Sequence, residues 1–427
     1  MRNELPPPEH LTDKVRRFFH NLGPGVVTGA ADDDPSGIST YSVTGAQFGF
    51  SQLWTVLFTF PLMAAVQSMC ARLGLVRGEG LASTIRRFFP RWVLIFACLL
   101  LIVANVINIG ADLAGIAESL EMVTHISRYF WMPVAAVGIV CALIWWSYHR
   151  LANTFKWLTL VLFVYVVAAI LAKPDWGLVL RSTFLPSIEW NTGYLMTLVG
   201  VLGTTITPYM FFWQSAQEVE EEREHGKRTL RARRGATNDE LKIAQTDVLT
   251  GMGWAGIAMY FIILTSASTL HRPGMKPIET AQQAAEALRP LAGDAAYLLF
   301  TLGIVGTGIL AVPVLAGSAA YAVAEAFHWE GSLNDRPKVA QKFYGVIALA
   351  VLVGLGLNLL GISAVKALFY SAIANGVLAP PLVVLVTLLT SRKDVMGEHI
   401  SPPWMRTLGW VTAGAMSAAA IAMFVSR

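Results

Sequence analysis

Residues 23–49 read GPGVVTGAADDDPSGISTYSVTGAQFG, and the reading of this stretch decides the fold. Small and apolar residues run on both sides of three consecutive aspartates, Asp32, Asp33 and Asp34, which are followed by Pro35, Ser36 and Gly37. One charge at bilayer depth costs at least about 2.5–3.5 kcal/mol on insertion scales, so three together need a reason. Pro35 has no N–H and pushes Asp34 out of the helical conformation, while Gly37 relaxes the turn. The helix is therefore expected to unwind here and leave backbone carbonyls without intrahelical partners. Unwound backbone is tolerated at membrane depth only where it is buried in protein or lines a cavity. Free carbonyls beside a carboxylate make a hard oxygen site for a cation. The competing reading is an external loop between two short helices. Against it, residues 21–31 are too few to span, and apolar character resumes at once.

Composition places this stretch in a membrane. The 427 residues are 55% hydrophobic and only 14% charged, with a mean hydropathy of +0.54. Soluble domains run nearer 25% charged. The opening MRNELPPPEHLTDKVRRFF is polar, Pro-rich and basic, unlike a signal peptide. Cys70, Cys98 and Cys141 lie singly in apolar runs and read as packing residues, not a disulfide or zinc framework.

Apolar runs long enough for the roughly 20-residue crossing predict eleven spans. They lie near 21–48, 51–71, 92–117, 130–148, 154–172, 192–217, 245–268, 292–326, 340–359, 362–388 and 406–426. Loop charge orients them. With the N-terminus inside, inner segments and adjoining span ends carry 24 of the 32 Lys and Arg residues, and outer ones carry eight. That bias follows the positive-inside rule and puts the C-terminus outside a plasma (inner) membrane. Residues 1–20 form a cytoplasmic tail, 21–172 a first set of five spans and 173–191 an external linker. Residues 192–388 form a second set with a charged cytoplasmic loop at 217–244, and 389–427 hold an inner loop and the last span.

Span six, GYLMTLVGVLGTTITPYMFFWQSAQ at 193–217, is interrupted by Thr207-Pro208 after Gly203, Thr204 and Thr205. Alone, such a kink is ordinary. Five spans separate it from the first break, and an odd number inverts the second set relative to the first. The chain is thus expected to be an all-α polytopic membrane protein of two inverted five-helix repeats, with discontinuous helices one and six. That arrangement points to a secondary transporter with a midplane site.

At this point the residues resemble a known family. The first-span stretch, QSMCARLGLVRGEGLA at 67–82, GADLAG at 110–115 and AKPDW at 172–176 are together similar to the Nramp divalent-metal transporters, over about residues 21–390. The resemblance implies the inverted-repeat fold of leucine-type amino-acid transporters. It also implies metal ligands at Asp34, the Ala31 carbonyl, the Thr204 carbonyl, and the positions of Gly37 and Thr207. The family's Asp-Pro-Gly-Asn is here Asp34-Pro35-Ser36-Gly37, so its Asn ligand has become a glycine. Its Met-Pro-His-Asn is Thr207-Pro208-Tyr209-Met210, replacing the thioether and the histidine. In span three the family's Asp is kept as Asp112, and its proton-route Glu is Gly115.

A thioether favours transition metals, so its exchange for a hydroxyl leaves a harder site. Loss of the Asn side chain is expected to make that site roomier. Mg²⁺ keeps several waters when bound, and such a site suits it. The pattern is similar to the Nramp-related magnesium transporters, which implies passage of Mg²⁺ and Mn²⁺, partly hydrated, without proton coupling. None of the eight histidines falls inside a span.

Further residues are candidates for the cavity or its access path. Asp33 and Asp32 lie about 100° and 200° from Asp34 on a wound helix, so at most two of the three face one cavity. The others attract cations or cap the second half-helix. Tyr209 is expected to pack around the site. Asp112, with Asn105 and Asn108, reads as helix–helix hydrogen bonding or as a group behind the ligands. Asn375-Gly376, ahead of Pro380-Pro381, reads as a further polar break in span ten. Asp247 and Lys366 sit near span ends, as snorkelling or gate residues.

Other functions fit less well. No Walker-type Gly-Lys-Ser/Thr, HExxH or GxSxG occurs, so neither nucleotide-driven pumping nor an enzyme of those types is supported. No cofactor is implied, since the metal is cargo. The basic loops follow topology and imply no nucleic-acid partner, and nothing in the sequence sets an oligomeric state. A proton-coupled Mn²⁺/Fe²⁺ carrier is the main alternative. An amino-acid or amine carrier is disfavoured, because three aspartates would repel a substrate carboxylate.

Overall fold

The computed structural model describes residues 23–145, 160–271 and 278–426. The expected tail at 1–20 and residues 154–159 of span five lie outside the described residues.

The first span is two helices, α1 (Pro24–Asp32) and α2 (Pro35–Phe48), each starting on proline. Proline suits a first helical position, where its missing N–H would have no partner. Then come α3 (Trp54–Arg77), closed by Gly78 at φ 61°, the short α4 (Leu81–Phe88), α5 (Arg91–Thr124) and α6 (Arg128–Trp145). The described end of span five is α7 (Val164–Leu171), followed by α8 (Trp176–Phe184), which Asp175 caps. The sixth span is again split, into α9 (Thr192–Thr205) and α10 (Pro208–Glu224). The remaining long helices are α11 (Asn238–Thr269), α12 (Ala296–Phe327), α13 (Gln341–Leu357), α14 (Ala364–Ser391) and α15 (Pro403–Val425). Among the described residues nine helical segments are long and apolar enough to cross a membrane. The halves of the first span are too short to be counted among them, at 9 and 14 residues.

Two expectations change. The charged loop narrows to residues 225–237, because α10 runs on to Glu224 and α11 starts at Asn238. A capping box fixes that start: the Glu240 amide donates to the Thr237 hydroxyl, and the Thr237 amide donates to the Glu240 carboxylate. Asn375-Gly376 does not break its helix, since α14 is continuous through it. Gly376 instead allows a close crossing. A Cβ there would lie 2.4 Å from the Val199 carbonyl oxygen, and one on Gly203 would lie 2.0 Å from that of Ala372.

The buried centre consists of α1, α2, α9 and α10, flanked by α3, α5, α11, α12 and α14. On the perimeter helices α6, α13 and α15, Val137, Leu352 and Ile421 stay more than 60% exposed. An apolar outer surface of this kind suits lipid.

Candidate metal-ion site

The first break puts an anion at the start of a helix. Asp34 has extended backbone at φ −69°, ψ 171°, and serves as N-cap of α2. Its Oδ1 accepts from the Gly37 amide (2.8 Å) and the Ser36 hydroxyl (2.6 Å), and its Oδ2 from Asn108 Nδ2 on α5 (2.9 Å). Asn108 Oδ1 in turn faces Asn375 Nδ2 of α14 at 3.5 Å. Asp34 is 1% exposed. The half-helix dipole favours a negative charge at this position.

The expected residues gather here, though not all as ligands. The Ala31 carbonyl accepts a hydrogen bond from the Tyr209 hydroxyl at 2.9 Å. Tyr209 therefore ties the first break to the second, and the Ala31 oxygen is already engaged. Gly37 does not leave a void. A Cβ there would lie 3.1 Å from Thr204 Oγ1, 3.4 Å from the Tyr41 ring and 3.5 Å from the Asp32 carbonyl oxygen. The expected roomier site is thus filled in this conformation by Thr204 and Tyr41. Gly115 is closed off likewise, because a Cβ there would meet Leu368 at 3.0 Å.

Several oxygens remain unengaged. Thr204 Oγ1, Thr207 Oγ1, Tyr41 Oη, both carboxylate oxygens of Asp32 and of Asp112, and Asp33 Oδ1 are buried without a hydrogen bond. Among the described residues no three His, Cys, Asp or Glu side chains come together as a metal cluster. An ion held here would need hydroxyls, carbonyls or water beside its carboxylates.

On its α1 side the first break is closed by packing. Gly25 and Gly29 of α1 cross α11 at Gly251, where a Cβ on Gly29 would lie 2.3 Å from the Gly251 carbonyl. Asp247 of α11 accepts from the amides of Gly23 (2.9 Å), Gly25 (2.6 Å) and Val26 (3.3 Å). It is buried, so it does not snorkel, and among the described residues it forms no salt bridge. It caps α1 from another helix, satisfying amides that have no intrahelical partner. Beside it lies a cavity of about 460 Å³ lined by Glu218, Glu222, Glu240, Lys227 and Asp247. A second cavity, of about 590 Å³, lies at the C-terminal end of α5, with Glu118, Glu121, His125 and Asp294 on its wall. Neither is lined by Asp34.

The sequence pattern described as "Natural resistance-associated macrophage protein-like", or Nramp, matches residues 25–426. The chain belongs to the Nramp family. It is 27% identical to the divalent metal cation transporter MntH of Deinococcus radiodurans over 415 residues, covering 93% of this chain and 88% of that protein. A manganese transporter of Eremococcus coleocola, crystallised with an aromatic bis-isothiourea compound, superposes with a TM-score of 0.75 at 18% identity, covering 97% and 87% of the two chains. MhsT bound to L-phenylalanine superposes with a TM-score of 0.59 at 13% identity, covering 95% and 98%. These likenesses establish the leucine-transporter-type fold.

The partners of two side chains at the first break are not decided by residue type in this Nramp chain. Asn108 reads equally well as a helix–helix bond, the role Asn105 does fill by donating to the Leu315 carbonyl and the Ser318 hydroxyl. Asn108 does precede Asp112 by four residues, which puts them on one face of α5. Asp247 gives no such signal, because its partners are more than 220 positions away.

Proposed function

We propose that this chain is a secondary transporter that carries Mg²⁺, and also Mn²⁺, into the cell by alternating access without coupling to protons. The observation behind this reading is the donor set at the two breaks. A buried carboxylate, Asp34, takes the Ser36 hydroxyl at the first break, and the second break supplies the hydroxyls of Thr204, Thr207 and Tyr209, with no thioether, imidazole or second span-three carboxylate at the family's positions. Hard oxygens of this kind suit hard cations. Asp34, the Thr204 and Thr207 oxygens, and the Gly37 and Ala31 backbone are the proposed ligands. The Ala31 carbonyl needs its second lone pair for this, or release from Tyr209. Waters enter only if Thr204 and Tyr41 move away from Gly37 as the half-helices part. Asp33, Asp112 and Asn375 line the route. With basic loops inside, the membrane potential assists each divalent ion by about 4.6 kcal/mol per 100 mV.

A proton-coupled Mn²⁺ carrier is the second reading. It is favoured by the relatives' named substrate and by Asp112, which is buried with neither carboxylate oxygen bonded. A liposome flux assay separates the two, with a Mg²⁺ dye in one set of vesicles and a pH dye in another. Mg²⁺ entry without internal acidification, abolished by Asp34→Ala, is expected. Mn²⁺ entry with acidification and no Mg²⁺ entry would establish the second reading.

A further inference from the structure

At the first break the negative charge is distributed unevenly among the three aspartates. Asp34 is well supplied: three donors from Ser36, Gly37 and Asn108 address its two oxygens, which leaves about one lone pair, on Oδ2, for an ion. Asp32, two positions earlier and equally buried at 1% exposure, receives no donor on either oxygen. It is the last residue of α1, at the point where the chain stops being helical. No ion pair among the described residues includes it. A buried carboxylate with no donor is costly to ionise, so it is neutralised either by a proton or by a cation from outside the chain.

The neighbours of Asp32 suit a cation. Around the bare face of Gly37 converge the Asp32 carbonyl oxygen, Thr204 Oγ1 and the Tyr41 ring. The Thr204 and Tyr41 hydroxyls accept no hydrogen bond, and both side chains are buried. These groups come from α1, α2 and α9, the elements whose relative movement would open the site. Resting on the reading of the first break as the transport site, we infer that Asp32 is the second carboxylate of the transported ion, with the Tyr41 and Thr204 hydroxyls beside it. A divalent cation between Asp32 and Asp34 is held from both halves of the broken helix and neutralises both charges. Asp32 stands on the α1 side, so it also is the group that the ion would leave last on its way past α1.

Asp33 is the internal control. It shares the same run but sits between the half-helices at φ −81°, ψ 53°, and only one of its oxygens is buried without a bond. The test uses the full chain, purified and reconstituted, with Mn²⁺ as probe. Bound Mn²⁺ is read by loss of the free-ion paramagnetic resonance signal, and thermal unfolding is followed with and without Mn²⁺. Asp32→Asn is expected to weaken Mn²⁺ binding about tenfold or more, as loss of a carboxylate in contact with the ion should, and Asp33→Asn to weaken it less. Removing an uncompensated buried charge should also raise the unfolding temperature of the ion-free protein, while the ion-induced rise shrinks. If Asp32→Asn binds Mn²⁺ like the wild type, or lowers stability equally with and without the ion, Asp32 is structural and the inference is overturned. If Asp34→Ala still transports while Asp32→Asn fails, the reading of Asp34 as the central ligand falls and the role of Asp32 stands.

Discussion

At the first break Asp34 turns its carboxylate back onto the Gly37 amide, whereas at the second Thr207 stands before Pro208 with its hydroxyl bonded to nothing. Both residues have extended backbone, with ψ of 171° and 141°, because each precedes a proline that excludes the helical conformation. Proline therefore explains why both helices stop, but not how each loose end is satisfied. The first break is held rigidly by its own side chain and by Asn108 from a neighbouring helix. The second leaves its hydroxyl free for an ion. One end supplies fixed charge, and the other supplies an adjustable neutral oxygen.

The largest effect should come from removing the fixed charge. Asp34→Ala is expected to abolish divalent-ion uptake in liposomes. It also deletes a helix cap whose loss costs about 0.5–2 kcal/mol, so the melting temperature of the ion-free protein should fall as well. Unchanged stability with lost transport would mean that the cap matters less than the comparison supposes.

Next in size is the packing that holds the first break's lower half in place. Asp247→Ala leaves three amides of α1 without their acceptor, each unmade bond costing about 1–3 kcal/mol. A thiol placed at Thr28, with Cys70, Cys98 and Cys141 replaced, should then react faster with a water-soluble reagent. An unchanged rate would show that the glycine crossing at Gly251 holds α1 alone.

How much of this was legible in the sequence differs between the two breaks for physical reasons. Asp-Pro and Thr-Pro act through local sterics, so both breaks could be read from neighbours in the chain. The Asp34 cap is local as well, three residues from its amide. Asp247, Asn108 and Tyr209 act across 74 to 224 positions, and their partners depend on how helices pack. Gly37 is the instructive case. Its missing side chain suggested open space, yet Thr204 from α9 and Tyr41 from α2 close over it. The charged stretch at 217–244 is helical at both ends, and hydropathy alone does not mark where a polar helix gives way to a loop.

A smaller effect should follow from Asn108→Leu, which keeps the volume but removes the donor to Asp34 Oδ2. One hydrogen bond to a charged acceptor is worth about 1.5–3 kcal/mol, so the apparent affinity for Mn²⁺ should change by about tenfold or more, read as KM in the flux assay. The direction tests the comparison. A rise in KM means that Asn108 aims the carboxylate. A fall means that it competes with the ion for the same lone pair.

The smallest effect on stability, and the sharpest on selectivity, belongs to the second break. Thr207 Oγ1 is buried with no hydrogen bond to lose, so Thr207→Val should leave the melting temperature of the ion-free protein unchanged or slightly raised. If the free hydroxyl is what the second break offers the ion, the same variant should still weaken Mg²⁺ uptake. Thr207→Met restores a soft donor at that point and should turn the preference from Mg²⁺ towards Mn²⁺ and Cd²⁺, read as competition between the ions in one assay. The two substitutions remove the same oxygen, and only one adds a thioether. A shift in preference seen with Met and absent with Val therefore locates selectivity in the ligand at 207. An equal loss in both would assign it to the shape of the break.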